Sequence, residues 1–295
     1  MRITFASYNI QYGRGQDERF DLERIAAEVE AADVIALQEV ATGFARNDFI
    51  DQAAWFAARL NRHAVFGATY DVDASFTDDA GRVVNRRRRF GNMVLSRWPI
   101  RSTRTLPLPF SPPALHRDVQ RCAVEAVLDL PGGALRLYSL HLSHLTTGTR
   151  MPQVEALLAM VAAAPGDGMA WTDDAGPDLG NWTEGWPEPI LPEPCILMGD
   201  FNLRPDAPEY QRLVGSPSER RGRVPLRGQL VDSWVAAGNP EASGWTLAEW
   251  AGQEGARIDY AFLHPSLGGR LRRAWIDTQA QGSDHLPIFI ELDWG

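Results

Sequence analysis

The chain has 295 residues, of which 44% are hydrophobic, so it is long and apolar enough to bury a sizeable core. Its 29 basic and 38 acidic residues give a formal net charge of -9, whereas proteins that bind duplex DNA usually present a basic surface. Duplex DNA is therefore a disfavoured partner, although a local basic cleft is compatible with this charge, and no apolar run approaches the roughly 20 residues of a membrane span.

The cysteines and the first residues indicate the compartment. Cys122 and Cys195 are the only cysteines and lie in apolar runs, which favours buried free thiols over a disulfide or a metal site. The chain begins with a strand-like run and shows no charged-then-apolar leader. We therefore expect a cytoplasmic protein, and we expect it to be a monomer.

In chain order, predicted strands and helices alternate. Apolar residues recur at i, i+3, i+4 and i+7 over 22–29, and a second helical pattern covers 49–60. A third helix is predicted over 151–163. The two apolar runs around Pro131-Gly132-Gly133 predict a hairpin. The predicted strands are residues 3–9, 34–37, 64–70, 92–96, 122–130, 134–140, 195–199, 258–263 and 286–292.

Two stretches are predicted to be irregular. Residues 71–90 are polar and end in the run Arg86–Arg89, which we interpret as a solvated loop, or as a substrate-binding patch if it faces the site. Residues 165–194 contain six prolines, which excludes a regular element, and three tryptophans, which argues against a plain disordered linker. We expect this second stretch to be an ordered surface excursion, for which a lid is one interpretation.

Polar residues stand at the ends of most of the apolar strands. One such residue alone is a turn or cap, but a whole set of acidic, amide and imidazole groups is hard to explain that way. Ligands bind where strand ends converge at one edge of a sheet, so we expect these side chains to meet. The set comprises Asn9, Glu39, His141, Asp200, Asn202, Asp259, Asp284 and His285.

The residue types in this set indicate a reaction. Glu39 and Asp284 offer hard oxygens, which suit Mg²⁺ or Mn²⁺. The chain has no zinc-binding Cys/His spacing, no GxSxG elbow and no Walker loop. Because no nucleophilic Ser, Cys or Lys belongs to the set, an activated water is the simplest attacking group, and a metal with a carboxylate base suits phosphoester hydrolysis.

Sequence blocks along nearly the whole chain resemble the endonuclease/exonuclease/phosphatase superfamily and occur in that family's order. The blocks are SYNIQYG (7–13), LQEV (37–40), GNMVLSRWPI (91–100), SLHLSHL (139–145), GDFNLRPDAPEY (199–210), RIDYAFLH (257–264) and GSDHLPIF (282–289). The resemblance implies an α/β fold, a four-layer sandwich of two packed mixed β-sheets flanked by helices. It also implies that residues 1–295 form a single domain.

The resemblance further implies a metal site. Glu39 would be the main ligand, helped by Asn9 and Asp284, and would hold at least one divalent metal, Mg²⁺ or Mn²⁺. Outside the family context Asn9 would be interpreted as a strand-end cap.

Catalytic roles are implied for five further residues. Asp200 would orient or deprotonate the attacking water, and Asn202 would hold that water and a phosphate oxygen. His285 would stabilise charge on the phosphate, with Asp259 fixing its tautomer. His141 matches a histidine of the sphingomyelinase-like and inositol-phosphatase-like branches that lies near the leaving group.

For several residues a structural role and a functional role both remain possible interpretations. The less favoured alternative for Asp259 is an ion pair with Arg257 or another arginine, and for His144 we favour a surface or loop role. Asn92 and Arg121 are tentative substrate contacts. Arg150 and Gln153 resemble the family's R-x-x-Q and serve either structure or substrate.

The branch of the family suggests the substrate. Abasic-site endonucleases carry a catalytic tyrosine and an Asn-rich loop between the Glu and Asp motifs, where this chain has His141. We therefore predict a phosphodiesterase or phosphatase acting on a phosphorylated small-molecule or lipid-derived substrate. The alternative is a nuclease or DNA-end-processing enzyme of the same superfamily. A binding protein on an inactive scaffold is disfavoured, because the residues of the set are all present.

Overall fold

The structure of the protein is a computed structural model, which describes residues 1–168, 171, 183–186, 188–250 and 253–295. Its strands are β1 (Arg2–Asn9), β2 (Val34–Thr42), β3 (His63–Asp73), β4 (Phe76–Thr77), β5 (Val83–Val84), β6 (Arg87–Ser96), β7 (Ile100–Pro107), β8 (Cys122–Leu130), β9 (Gly133–His141), β10 (Cys195–Asp200), β11 (Ser216–Ser218), β12 (Gly222–Val224), β13 (Val231–Asp232), β14 (Leu247–Trp250), β15 (Gln253–Ala256), β16 (Asp259–Leu263), β17 (Leu271–Ile276) and β18 (Ile288–Asp293). Its helices are α1 (Leu22–Val29), α2 (Gln52–Leu60), α3 (Thr147–Asp167), α4 (Pro208–Val214) and α5 (Ser233–Ala236), with 3-10 turns at Gln11–Gly13, Ala45–Asn47 and Pro265–Arg270.

Two mixed sheets of six strands each organise these elements. The first sheet has the order β17-β18-β1-β2-β6-β3, and the second has the order β13-β16-β10-β9-β8-β7. In each sheet one central pair is parallel, β1 with β2 and β10 with β9, and the neighbouring strands run antiparallel to them. The predicted α/β sandwich of two packed mixed sheets flanked by helices is therefore confirmed.

Three buried apolar clusters separate the four layers. The central cluster joins the facing sides of the two sheets, with Phe5 and Val34 from the first and Leu137 and Ile196 from the second. A second cluster packs α1 and α2 against the outer face of the first sheet. A third packs α3 and α4 against the outer face of the second. Each sheet therefore buries both faces, which is why its central strands read as continuous apolar runs.

The helix starts follow from polar caps. The side chain of Asp21 accepts from the backbone N–H of Arg24 at 3.0 Å, and α1 begins one residue after this cap, at the predicted position. In the same way Asp51 caps α2, which therefore begins at Gln52, three residues later than predicted. Local capping thus decides boundaries that apolar spacing alone leaves uncertain.

The predicted polar loop over 71–90 is wrong in part. Strand β3 continues to Asp73 and β6 begins at Arg87, with the short β4–β5 hairpin between them. Opposite charges face each other across this pairing, and Arg87 Nε donates to Asp71 Oδ1 at 2.7 Å. Cross-strand ion pairs of this kind keep a polar segment in a regular ladder.

The Arg86–Arg89 run is occupied mainly by local contacts. Arg89 pairs with Asp51 at 3.1 Å, and the guanidinium of Arg86 lies over the rings of Phe49 and Phe76. Arg87–Arg89 thus belong to strand β6 and Arg86 directly precedes it, so the run is not a solvated loop.

Helix α3 is longer than predicted at both ends, and Pro165 does not end it. A proline at 165 leaves the carbonyl of Val161 without its helical N–H donor. Both terminal nitrogens of the buried Arg136 donate to that carbonyl, at 3.3 and 3.2 Å. The helix continues through Asp167 because strand β9 supplies the missing donor. The lid interpretation concerns residues 165–194, of which 169–170, 172–182 and 187 lie outside the described residues.

Both cysteines are buried free thiols, as predicted. Among the residues that the structure describes, no helix is long and apolar enough to cross a membrane.

A buried ion pair joins α3 to α4. Arg150 Nε lies 3.0 Å from Glu209 Oε1, and Glu209 is fully buried. Gln153 bonds the backbone of Ser143 and Pro109. Of the two alternatives for the R-x-x-Q residues, the structural one is therefore supported.

We expect Arg150→Ala to lower the free energy of unfolding by about 3–5 kcal/mol, because it leaves the Glu209 carboxylate buried and unpaired. The matched control is Glu155→Ala, which breaks the exposed Glu155–Arg212 pair between the same two helices and should cost under about 1 kcal/mol. Urea unfolding measures both. Equal losses in the two variants would contradict the buried-pair account.

Candidate active site

The site lies where ends of both sheets converge. Asp200 ends β10, and its register partners are His141 at the end of β9 and Asp259 at the start of β16. Gly199 makes this close approach possible, because a Cβ there would collide with the carbonyl oxygen of Leu140 on β9. The second sheet therefore presents three chemical groups side by side.

Glu39 is placed by an irregularity in the first sheet. The register between β2 and β6 shifts between Leu37 and Val40, and Glu39 has a φ of 60°, a conformation uncommon for a residue with a side chain. This bulge redirects the carboxylate within a strand whose other side chains are nearly all buried in the core. Backbone strain of this kind is concentrated at functional sites.

Asp200 is the hub of the polar contacts. Its Oδ2 accepts from Asn9 Nδ2 at 3.0 Å, and it lies 3.3 Å from His141 Nε2 and 3.8 Å from His285 Nε2. Its Oδ1 accepts from the backbone N–H of Asn202 at 2.9 Å. All five residues are buried, so these contacts operate with little screening by water.

Asn9 and Asn202 connect the neighbouring groups. Asn9 Nδ2 also lies 3.4 Å from Glu39 Oε1, and Asn9 Oδ1 accepts from the N–H of Gln11. Asn202 has a φ of 51°, and its Nδ2 lies 3.0 Å from His141 Nε2. Asn9 thus links Glu39 of the first sheet to Asp200 of the second, and Asn202 links Asp200 to His141.

His285 and Asp259 form a buried pair. His285 Nδ1 lies 2.8 Å from Asp259 Oδ2. The alternative pairing of Asp259 with Arg257 is not observed, because Arg257 Nη1 donates to Asp232 Oδ2 at 2.8 Å. A carboxylate on Nδ1 directs Nε2 of the imidazole toward Asp200.

Burial and neighbouring charges shift the pKa values of these groups. Burial, reinforced by the negative charge of Asp259, raises the pKa of Asp200 to about 7. Burial works against a charged His285, but Asp259 raises its pKa to about 10 through charge and hydrogen bonding. Burial and the nearby Arg121 guanidinium hold the pKa of His141 well below its ordinary value. Adjacent groups with separated pKa values are typical of acid–base sites.

A cavity of about 340 Å³ opens above these groups. It is lined by Tyr12, Glu39, Arg46, Tyr70, Phe90, Val119, Arg121, His141, His144, Asp200, Asn202 and His285. Six of the site residues that we predicted from the sequence are in this lining. Asn9 and Asp259 are not, but they bond the lining residues Asp200 and His285. Asp284 does not belong to this lining; it is partly buried, and its Oδ2 accepts from Gln11 Nε2 at 2.8 Å.

Asn92 does not reach this cavity, which argues against its predicted contact with substrate. Its Nδ2 donates to the carbonyl of Cys122 at 2.9 Å and so ties β6 to β8 between the sheets. Arg121, by contrast, lines the cavity, with its Nη2 close to Asp118 and 3.2 Å from His144 Nδ1. The surface role favoured for His144 is therefore replaced by a place in the cavity wall.

The sequence interpretation missed Tyr12, Arg46, Tyr70 and Phe90. Tyr12 belongs to the SYNIQYG block but carries no acid, amide or imidazole. Tyr70 and Phe90 border the stretch that we interpreted as a loop. Aromatic residues next to apolar strands are usually core residues, so no sequence signal distinguished the three rings from packing. Arg46 lies outside the sequence blocks that resemble the family.

The donor set fits a hard divalent cation. Glu39 carries a carboxylate that faces the cavity and has one weak hydrogen bond, from Asn9 at 3.4 Å. Ligand atoms of Asp200, Asp259 and His285 also lie within 4.8 Å of one another. In that group, however, Asp259 Oδ2 and His285 Nδ1 already bond each other. Glu39 is the more accessible ligand, because its side chain is 21% exposed whereas those of Asp200, Asp259 and His285 are at most 9% exposed. Oxygen donors of this type suit Mg²⁺ or Mn²⁺.

The chain is similar to known proteins over nearly its whole length. A model of the Endonuclease/Exonuclease/phosphatase family matches residues 6–285. No curated protein matches the chain. Similar solved structures include an endonuclease/exonuclease/phosphatase from Beutenbergia cavernae, with a TM-score of 0.67 and 22% identity over 100% of this chain and 72% of that one.

Two further similar structures have more specific names. One is a mannosyl-6-phosphatase from Bacteroides thetaiotaomicron, with a TM-score of 0.58 and 17% identity over 99% of this chain and 100% of that one. The other is a humanized TDP2 of D. rerio, with a TM-score of 0.57 and 17% identity over 99% of each chain. At such identities the likeness concerns the fold alone.

Proposed function

Because the chain belongs to the endonuclease/exonuclease/phosphatase family, whose members are metal-dependent phosphoester hydrolases, we propose that it hydrolyses a small or lipid-derived phosphoester with an activated water. The observation that carries this proposal is the position of Asp200. Its Oδ2 lies within 4 Å of Asn9, His141 and His285, beside the cavity that Glu39 also faces. This arrangement supports a carboxylate base next to a metal ligand.

Glu39 would be the main metal ligand, with Asp284 close to it. Asn9 directs its amide nitrogen to Glu39 and Asp200 while its oxygen bonds Gln11, so we propose that it positions these carboxylates more than it binds metal. When bound, a divalent cation would polarise a phosphate oxygen and lower the pKa of a coordinated water.

Asp200 is the proposed base. Burial and Asp259 bring its pKa to about 7, which is close to the value that favours proton transfer near neutral pH. Asn202 and His141, which meet at 3.0 Å, would hold the water and the phosphate on the adjacent side. His285, kept protonated by Asp259, would stabilise the negative charge that develops on the phosphate.

We expect Asp259→Asn to lower kcat by about 10- to 100-fold, the usual effect of removing a group that orients a catalytic imidazole. His285→Ala should lower kcat further, because it removes the imidazole itself. Steady-state kinetics on both variants, with thermal unfolding as a check of the fold, measures the order. A larger loss in Asp259→Asn than in His285→Ala would contradict the proposed pair.

The charge of the protein and the pairing of its arginine run support a small substrate over a polyanion. The net charge is -9, and Arg87 and Arg89 of the arginine run are paired with Asp71 and Asp51. These pairs reduce the basic surface available to a polyanion. A mannosyl-6-phosphatase among the similar structures acts, by its name, on a phosphorylated sugar, which agrees with a small substrate.

The alternative function is a nuclease or DNA-end-processing enzyme. A panel of substrates in Mg²⁺ or Mn²⁺ decides between the two: a small phosphomonoester, a small phosphodiester, a phospholipid headgroup ester and duplex DNA. We expect kcat/KM to be highest for a small or lipid-derived ester. A duplex substrate that is cleaved with a higher kcat/KM than all of the small esters would overturn the proposal.

A further inference from the structure

The cavity has an aromatic side that the hydrolytic roles do not use. Tyr12, Tyr70 and Phe90 line it together with Arg46, and all three rings are partly exposed. We call these three residues the aromatic wall. Tyr70 and Phe90 lie on strands of the first sheet, and Tyr12 lies in the turn after β1 of that sheet. Most of the acid–base groups come from the second sheet.

Tyr12 is held in place by its backbone. It has a φ of 48° in the turn after β1, and its carbonyl accepts from Asn47 Nδ2 at 2.8 Å and from Gln52 Nε2 at 2.7 Å. Both amides are buried. Two buried donors on one carbonyl keep the strained turn fixed, so the ring does not depend on a flexible loop for its position.

Arg46 completes this side of the cavity. Its guanidinium lies 4.3 Å from the ring centroid of Tyr12 and 4.2 Å from that of Phe44. A guanidinium between two rings is immobilised by cation–π contacts. It places a planar cation beside the aromatic wall.

Tyr70 and Phe90 form a second rigid unit. Their ring centroids are 5.6 Å apart and their planes differ by 17°, so the rings are stacked. They are register partners on β3 and β6, next to the register shift between Ala68 and Tyr70. The bulge and the stacking together hold these two rings at the cavity.

The two units lie on either side of the strand that carries Glu39. In the first sheet β2 stands between β1, which leads to Tyr12, and the β6–β3 pair, which carries Phe90 and Tyr70. Burial raises the pKa of Tyr70, with Arg46 lowering it and Glu39 raising it. Tyr70, Arg46 and Glu39 line the same cavity, so one substrate can contact both the aromatic wall and the carboxylate.

We propose that the aromatic wall is a subsite for a planar aromatic ring carried by the phosphoester substrate. The inference deepens the proposed function, on which it rests, by naming the group attached to the phosphate. A flat ring continues an existing stack and also meets the guanidinium plane of Arg46. A saturated ring or an alkyl chain of similar size buries similar area without this stacking.

Binding of two matched phosphonates tests the subsite without turnover. Benzylphosphonate and cyclohexylmethylphosphonate differ only in whether the ring is planar and aromatic. By calorimetry with Mg²⁺ present, we expect the wild-type protein to bind the benzyl compound roughly threefold to tenfold more tightly. Phe90→Leu should remove most of this preference, because it keeps apolar volume but loses the ring.

The control variant is Phe76→Leu, which replaces an exposed ring on the nearby hairpin outside the cavity lining. It should keep the wild-type preference. Equal affinity of the wild type for the two phosphonates would overturn the subsite, and so would an unchanged preference in Phe90→Leu.

Two natural sources of such a ring are a nucleobase and a phenol. The affinities of a nucleoside 5′-monophosphate and of O-phosphotyrosine for wild type and Phe90→Leu distinguish them. A loss with either ligand supports the subsite and identifies the source, and a loss with neither overturns it.

Hydrolysis of benzyl phosphate is measured separately. A protein that prefers benzylphosphonate but hydrolyses no phosphoester would overturn the proposed function and support the subsite. A protein that hydrolyses benzyl phosphate but binds both phosphonates equally would overturn the subsite alone.

Discussion

Asp200→Asn is expected to lower kcat for phosphoester hydrolysis by about a thousandfold, which corresponds to about 4 kcal/mol of transition-state stabilisation. The substitution keeps the shape of the side chain but removes its ability to accept a proton. Burial raises the pKa of Asp200 to about 7, so at neutral pH this carboxyl is close to the point at which it gives and takes a proton most readily. Its amide replacement cannot do so at any pH.

The fold should tolerate this change. Asp200→Asn removes a carboxyl whose ionised form is disfavoured by burial and by Asp259, so we expect the Tm to stay the same or to rise. Asp206→Asn is the matched control, because it changes an exposed carboxylate within the same sequence block and should leave kcat unchanged. An Asp200→Asn variant with wild-type kcat would show that another group accepts the proton.

Glu39→Gln is expected to weaken binding of Mg²⁺ or Mn²⁺ by at least roughly a hundredfold and to abolish measurable hydrolysis at ordinary metal concentrations. Loss of an outer-shell partner alone typically costs 10- to 100-fold in metal affinity, and Glu39 is the proposed direct ligand. The amide keeps an oxygen in place but removes the negative charge that offsets the dehydration of the cation. Calorimetric titration of the metal measures the change directly.

Glu18→Gln is the control for that titration, because it neutralises an exposed glutamate that pairs with Arg14 and does not line the cavity. It should bind metal as the wild type does. If Glu39→Gln also bound metal and turned over substrate like the wild type, Glu39 would not be the ligand. The group formed by Asp200, Asp259 and His285 would then be the remaining candidate among the described residues.

The sequence predicted the layout of the fold and the convergence of the polar groups, because both depend on strand order and strand ends. Apolar runs indicated the central strands, and residues whose type suggested chemistry stood at an end of most of these runs. The Asp259–His285 contact was predicted from the motifs, whereas the competing Arg257 pairing fails since Asp232, a distant residue, takes that arginine. Pairings between distant residues cannot be read from a local pattern.

Features that depend on backbone irregularity were not predictable. The bulge that turns Glu39 toward the cavity and the bulge beside Tyr70 interrupt strands that look regular in sequence. The continuation of α3 past Pro165 requires a donor from Arg136 in another layer of the sandwich. The aromatic wall was missed for the same reason, because its rings resemble core residues until the strand register is known.

The most direct test of metal-dependent phosphoester hydrolysis is a rate measurement on the wild-type protein with one aryl phosphodiester. The protein is stripped of metal with a chelator, assayed, and then titrated with Mg²⁺ or Mn²⁺. We predict that the stripped protein is inactive and that either ion restores hydrolysis along a saturable curve. Full hydrolysis by the stripped protein, with no response to added metal, would contradict the account.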